Sequence, residues 1–158
     1  MTLATTLTLI RDALEPWAKQ HAGVIKIARD PWQPYEMLSA GSRGIILALG
    51  WIGERVVDAA RHSPLATGTF ELVLGAPMGL TPETDANLHR PIGDRPALVD
   101  LVDDLIVTVS KIDFTGTTTT AHFLEYQGAD PLTLPNGVRL AAYRLTFSLT
   151  RVVLTPQE

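Results

Sequence analysis

Chemistry in this chain would have to come from imidazoles, carboxylates and hydroxyls, because the sequence contains no cysteine. That absence excludes a thiolate nucleophile, a disulfide framework and any cysteine-based zinc or iron–sulfur site. The four histidines, His21, His62, His89 and His122, lie far apart and form no H-x-x-x-H pair, so local structure holds no two of them as metal ligands. Asp100, Asp103 and Asp104 share one side of a predicted helix, where they could hold a hard cation or act as acid and base. Their place in its N-terminal half also matches the positive end of the helix dipole, which is reason enough for them to stand there. Gly41-Ser42-Arg43-Gly44 lacks the G-x-x-x-x-G-K frame of a phosphate loop, and with Ala40 it misses G-x-S-x-G by one position. A tight turn explains it. No catalytic, cofactor-binding or metal-binding residue is therefore expected, and no enzyme.

The rest of the composition narrows the class. At 158 residues and 46% hydrophobic, the chain is long enough for one domain with a substantial core and leaves little room for two. Thirteen Lys and Arg against seventeen Asp and Glu give a net charge of -4, with neither sign gathered into a block. This argues against a nucleic-acid arm or a membrane-surface helix. Trp17, Trp32 and Trp51 could stack on bases, but the dispersed basic residues make packing the better assignment. No stretch without Asp, Glu, Lys or Arg exceeds eleven residues, whereas crossing a bilayer takes about twenty apolar ones. The N-terminal residues carry no basic region and no secretory signal pattern. A soluble protein is expected.

Hydrophobic spacing then supplies the elements. Leu3, Leu7, Ile10, Leu14 and Trp17 or Ala18 recur at steps of three and four, which predicts a helix over residues 2–21 that ends or kinks at Pro16. A short strand over 24–28 is followed by a loop with Pro31 and Pro34. Residues 44–53 are apolar on both alternating faces, as in a strand buried mid-sheet. A helix over 45–60 is the rival, disfavoured by Gly44, Gly50 and Gly53. Residues 69–74 read as a strand stopped by Gly75-Ala76-Pro77, and a long polar loop over 78–96 contains His89, Arg90 and Arg95.

The strongest periodicity runs through Leu98, Leu101, Val102, Leu105, Ile106, Val109 and Ile112. It predicts an amphipathic helix of about 18 residues, about 27 Å long, capped by Asp94 with Pro96 in its first turn. Strands over 121–126 and 138–153 follow, separated by Pro131, Pro135 and Asn136-Gly137. In the last strand Tyr143, Leu145, Phe147 and Leu149 face the core, while Arg144, Thr146, Ser148 and Thr150 face solvent or a neighbour. Sixteen extended residues would reach about 50 Å, so this strand bends, at Ala141-Ala142 for example, or projects beyond its domain. The expected architecture is a single α+β domain over 1–158, a mixed and largely antiparallel sheet with two amphipathic helices packed on it.

This order resembles that of the tail terminator and related tail-completion proteins of long-tailed bacteriophages. The likeness is one of pattern over nearly the whole chain, closest over Gly137-Val138-Arg139-Leu140-Ala141-Ala142-Tyr143-Arg144-Leu145-Thr146-Phe147-Ser148-Leu149. The resemblance implies a closed ring, commonly of six copies, at the head-proximal end of the tail tube. There it would stop tube polymerisation and offer a surface to head-neck proteins, as a virion tail component assembled in the host cytoplasm. It carries over no catalytic residue. Independently of the resemblance, a long loop and an overlong half-polar strand suit contacts between subunits. The expected interface residues are His89, Arg90, Arg95, Arg144 and Arg151, with Arg90 and Arg95 facing Asp103 or Glu125 of the next copy. The alternative is a small cytoplasmic α+β domain, dimeric or ligand-binding, with a histidine–aspartate hydrolase or isomerase as a third reading.

Overall fold

A computed structural model describes residues 2–28, 44–58, 64–77, 96–114, 123–133 and 140–153. Helix α1 spans Leu3–Gln20. Thr2 caps it by accepting a hydrogen bond at 3.2 Å from the backbone N–H of Thr5. The helix does not end at Pro16, because Trp17 and Ala18 beyond it are buried in the core. That burial outweighs one missing backbone hydrogen bond. The chain leaves α1 through Ala22, whose φ of 54° is left-handed. Gly23 N–H then bonds Ala18 C=O at 2.8 Å, and Ala22 N–H bonds Lys19 C=O at 3.1 Å.

Five strands follow the order β1-β2-β3-β5-β4 in one sheet. They are β1 (Val24–Ile27), β2 (Ile46–Asp58), β3 (Leu65–Pro77), β4 (Glu125–Leu132) and β5 (Leu140–Val152), with helix α2 (Leu98–Ser110) between β3 and β4. Only the β1–β2 pair is parallel among these neighbours. The fold is therefore α+β with a mixed, largely antiparallel sheet. Leu47, Leu49, Phe70, Leu72, Leu74, Leu145, Phe147 and Leu149 of the sheet share one core with Ile10, Leu14, Trp17, Leu98, Leu101, Leu105 and Val109 of the helices. Both helices thus cover the same sheet face. The opposite face carries a smaller apolar cluster of Ile46, Ala48, Val73 and Ala142.

Several element ends differ from expectation, each for a tertiary reason. Strand β2 runs past Gly53 to Asp58, and β3 runs from Leu65 through the supposed stop at Gly75-Ala76-Pro77. Each has a partner there: Gly75, Ala76 and Pro77 pair with Ala142, Ala141 and Leu140. Helix α2 is 13 residues long, about 20 Å. It starts after Ala97, which holds the N-cap position without a side-chain cap bond, and Pro96 precedes its first turn; Asp94, the expected cap, lies outside the described residues. The apolar stripe ran on to Ile112 because Ile112 and Phe114 enter the core from the turn after the helix. Strand β4 begins four residues and ends six residues later than expected and contains Pro131, which an edge strand tolerates. Strand β5 neither breaks nor shifts register at Ala141-Ala142, since β3 pairs with all 13 of its residues. The expected 78–96 loop, apart from Pro96, lies outside the described residues.

Candidate interaction surface

Three places gather polar or exposed apolar side chains. The first joins the two helices. Trp17 Nε1 donates a 2.6 Å hydrogen bond to Asp104 Oδ2, the His21 ring stacks at a tilt on Trp17 with centroids 4.6 Å apart, and His21 Nε2 lies 3.7 Å from the same carboxylate oxygen. Asp104 therefore does more than match the helix dipole. It ties α2 to the end of α1 from an exposed position, and Asp100 and Asp103 are exposed as well. No group of three or more histidines or carboxylates among the described residues could hold a metal ion. His62, His89 and His122 lie outside them.

The second place is the sheet face opposite the helices. Arg144 Nη2 donates to Asp130 Oδ2 at 3.4 Å, Gln127 Nε2 donates to Ser148 Oγ at 3.0 Å, and the hydroxyls of Thr67 and Thr150 meet at 2.9 Å. Beneath this polar layer Glu71 is buried to 5% exposure. Burial raises its carboxyl above the ordinary glutamate range, and the positive charge of Arg144 offsets part of that rise. The folded chain therefore keeps this proton over a range of pH in which the unfolded chain has released it. Across that range Glu71 lowers stability as pH rises. Glu71→Gln is expected to flatten the decline in Tm above the ordinary carboxylate range and to raise Tm at neutral pH. Thermal melts of both chains between pH 4 and pH 8 check this, and a lower Tm for the variant with an unchanged slope would contradict it.

The third place is an arm. Strand β1 pairs with β2 over Ile46–Leu49, but β2 continues to Asp58 beside β3 and the end of β5. Strand β4 likewise stops opposite Ser148, leaving the last four residues of β5 to run on beside β3. Residues 54–58, 65–68 and 149–152 thus project past both edge strands, and residues 50–53 project past β1 alone. Strand β5 does not project beyond its domain as the sequence allowed, since β3 pairs with it throughout; it outruns only its other neighbour, β4. Ile52, Val56 and Val57 on this arm are 48%, 57% and 59% exposed. Ile52 and Val57 fall where the β2–β3 register shifts, the places where one strand holds an extra residue. Across the arm Arg151 forms a two-pronged ion pair with Glu54, its Nη2 donating at 2.9 Å to Oε2. Gly68 leaves room for this crossing, with Glu54 Cγ 3.4 Å from where its Cβ would stand.

Of the expected interface residues, the structure describes Arg144 and Arg151. They lie seven positions apart on opposite faces of β5, and each already holds a carboxylate of its own chain. His89, Arg90 and Arg95 lie outside the described residues. Asp103 and Glu125, the carboxylates expected to meet Arg90 and Arg95, are both exposed. Sequence reasoning missed the arm, although Ile52, Val56 and Val57 around charged Glu54 and Arg55 are its signal. It also missed the Trp17–Asp104 bond, whose partners are 87 residues apart.

A cleft of about 390 Å³ beside α1 and β1 is lined by Arg11, Asp12, Glu15, Lys19, Val24 and Ile25. Its charges are matched within the chain, Arg11 to Asp12 at 2.6 Å and Lys19 to Glu15 at 2.9 Å. It therefore presents no unmatched charge to orient a small ligand. No helix among the described residues is long and apolar enough to cross a membrane. No protein-family model matches the chain, and a search of curated proteins finds no match.

Proposed function

We propose that the chain is the subunit of a closed ring that terminates the tail tube of a long-tailed bacteriophage and joins it to head-neck proteins. The observation that carries this reading is the projecting β-arm with its exposed Ile52, Val56 and Val57. An extended, partly apolar arm beyond the edges of a small sheet suits repeated contact with a neighbour better than enclosure of a small molecule. Residues 78–96, expected from the sequence to form a loop, and the exposed Asp103 and Glu125 add a second set of contacts in this reading, with Arg90 and Arg95 meeting those carboxylates on the next copy.

The experiment is tube growth. Purified tail-tube protein is polymerised with and without the chain, and tube lengths are measured by electron microscopy. Shorter tubes with one capped end are expected, and replacement of residues 82–90 by a short Gly-Ser link is expected to abolish the effect. Tubes of unchanged length and uncapped ends would contradict the reading.

A further inference from the structure

We propose that the outer edge of β2 along residues 50–57 pairs with the outer edge of β4 in a second copy of this chain, so that the sheet of one subunit continues into the next. This deepens the ring reading and rests on it. The two edges stand at opposite ends of the arrangement. Among the described residues, no strand lies against the outer side of β2 beyond Leu49, and β4 is paired by β5 alone. Between its bulges at Ile52 and Val57 the stretch 50–57 contains no proline and no lysine, two of the devices that blunt an edge against pairing, and the proline of β4, Pro131, lies at the end away from Tyr126. The stretch is eight residues long, and so is β4.

The side chains agree with the backbone. Both edges carry exposed apolar groups, Ile52, Val56 and Val57 on one, Tyr126 at 40% and the adjoining Phe123 at 52% on the other. Val56 pairs with buried Ala66, and Tyr126 pairs with buried Phe147, so Val56 and Tyr126 both lie on the helix-covered face. Arg55 and Glu125 pair with Thr67 and Ser148 and lie on the opposite face. Faces are preserved when one sheet continues into another. The junction therefore sets Val56 and Tyr126 together on one side, next to the ion-paired Glu54, and Arg55 and Glu125 together on the other, within reach of directly opposed or diagonal positions. Strand directions also agree: β2 is antiparallel to β3, β3 to β5 and β5 to β4, so β2 meets the next β4 antiparallel. A two-fold pairing of β2 with β2 would leave Phe123 and Tyr126 uncovered. An edge that pairs with a different edge makes a head-to-tail contact, which closes into a ring when the rotation fits.

The lack of native cysteine makes cross-linking clean. Cysteine replaces Ile52, Val56 or Val57 in one set of single variants and Phe123 or Tyr126 in another. Within one chain β2 and β4 are separated by β3 and β5, about 14 Å across, well beyond the roughly 7 Å limit between the Cα atoms of a disulfide. On mild oxidation, a mixture of Val56→Cys and Tyr126→Cys chains is expected to give disulfide-linked dimers that neither variant gives alone. The double variant is expected to give a ladder of linked chains ending at the ring number. Light scattering on the unmodified chain is run in parallel. A ring-sized mass with no cross-link from any pairing of the two sets would overturn this interface and leave the ring reading standing. Dimers from Val56→Cys alone would show two-fold pairing and overturn it too, and a monomer mass at every concentration would overturn both.

Discussion

Replacing Leu105 with aspartate is expected to leave almost no folded protein. Leu105 is fully buried where α2 meets the sheet, in the same cluster as Leu101, Val109, Leu145 and Phe147. Removing its side chain alone would cost about 2–5 kcal/mol. A carboxylate in its place must in addition be desolvated without a partner, several kcal/mol more. Together these match the whole stability of a typical domain, about 5–15 kcal/mol. The neighbouring Asp104→Asn is the control. From sequence alone it is expected to be nearly silent. The bond from Trp17 Nε1 at 2.6 Å changes that expectation to a loss of about 1 kcal/mol, because an amide oxygen still accepts but without the charge. Soluble yield and thermal melts compare the two, and similar melting temperatures would contradict the placement of α2.

Gly44→Ala is expected to be nearly as damaging for a different reason. A Cβ at Gly44 would stand 1.9 Å from the carbonyl oxygen of Ala22 and 2.9 Å from its carbonyl carbon. Both are backbone atoms of the turn that ends α1, and one at Gly23 would stand 2.2 Å from Ile45 Cγ1 in the same place. The two glycines let the exit of α1 lie against the entry of β2 and so set the parallel register Val24↔Ile46. Overpacking costs about 1–3 kcal/mol where side chains can yield, and here backbone must yield instead, so a loss of about 3 kcal/mol or more is expected. Gly53→Ala meets nothing within 4 Å and should change stability little. Chemical denaturation of the two variants checks the pair. Equal midpoints would contradict the close approach at Gly44.

What could be read from the sequence follows from which physics is local. The stripe Leu98, Leu101, Val102, Leu105 and Val109 repeats with the helix period and is buried as that period requires. The alternation of Leu145, Phe147 and Leu149 against Arg144, Thr146 and Ser148 survives as buried against half-buried positions on β5. Strand ends were less legible, because a glycine or proline stops a strand only where no neighbour holds it. Gly75 and Pro77 are held by β5, and Pro131 sits on an edge. A projection of the sheet was legible in kind but not in place. The length of β5 pointed to a projection, but the projecting edge belongs to β2, and no local pattern reports that β1 stops at Ile27 while β2 continues to Asp58. Nor does local sequence join Glu54 to Arg151, 97 residues apart.

Whether this chain is built to form a closed ring is answered by its native mass spectrum across a dilution series. A single multiple of the subunit mass, unchanged in number on dilution until it gives way to monomer, is the expected result, because a ring admits one stoichiometry. Monomer at every concentration, or a ladder of multiples with no closing number, would contradict it.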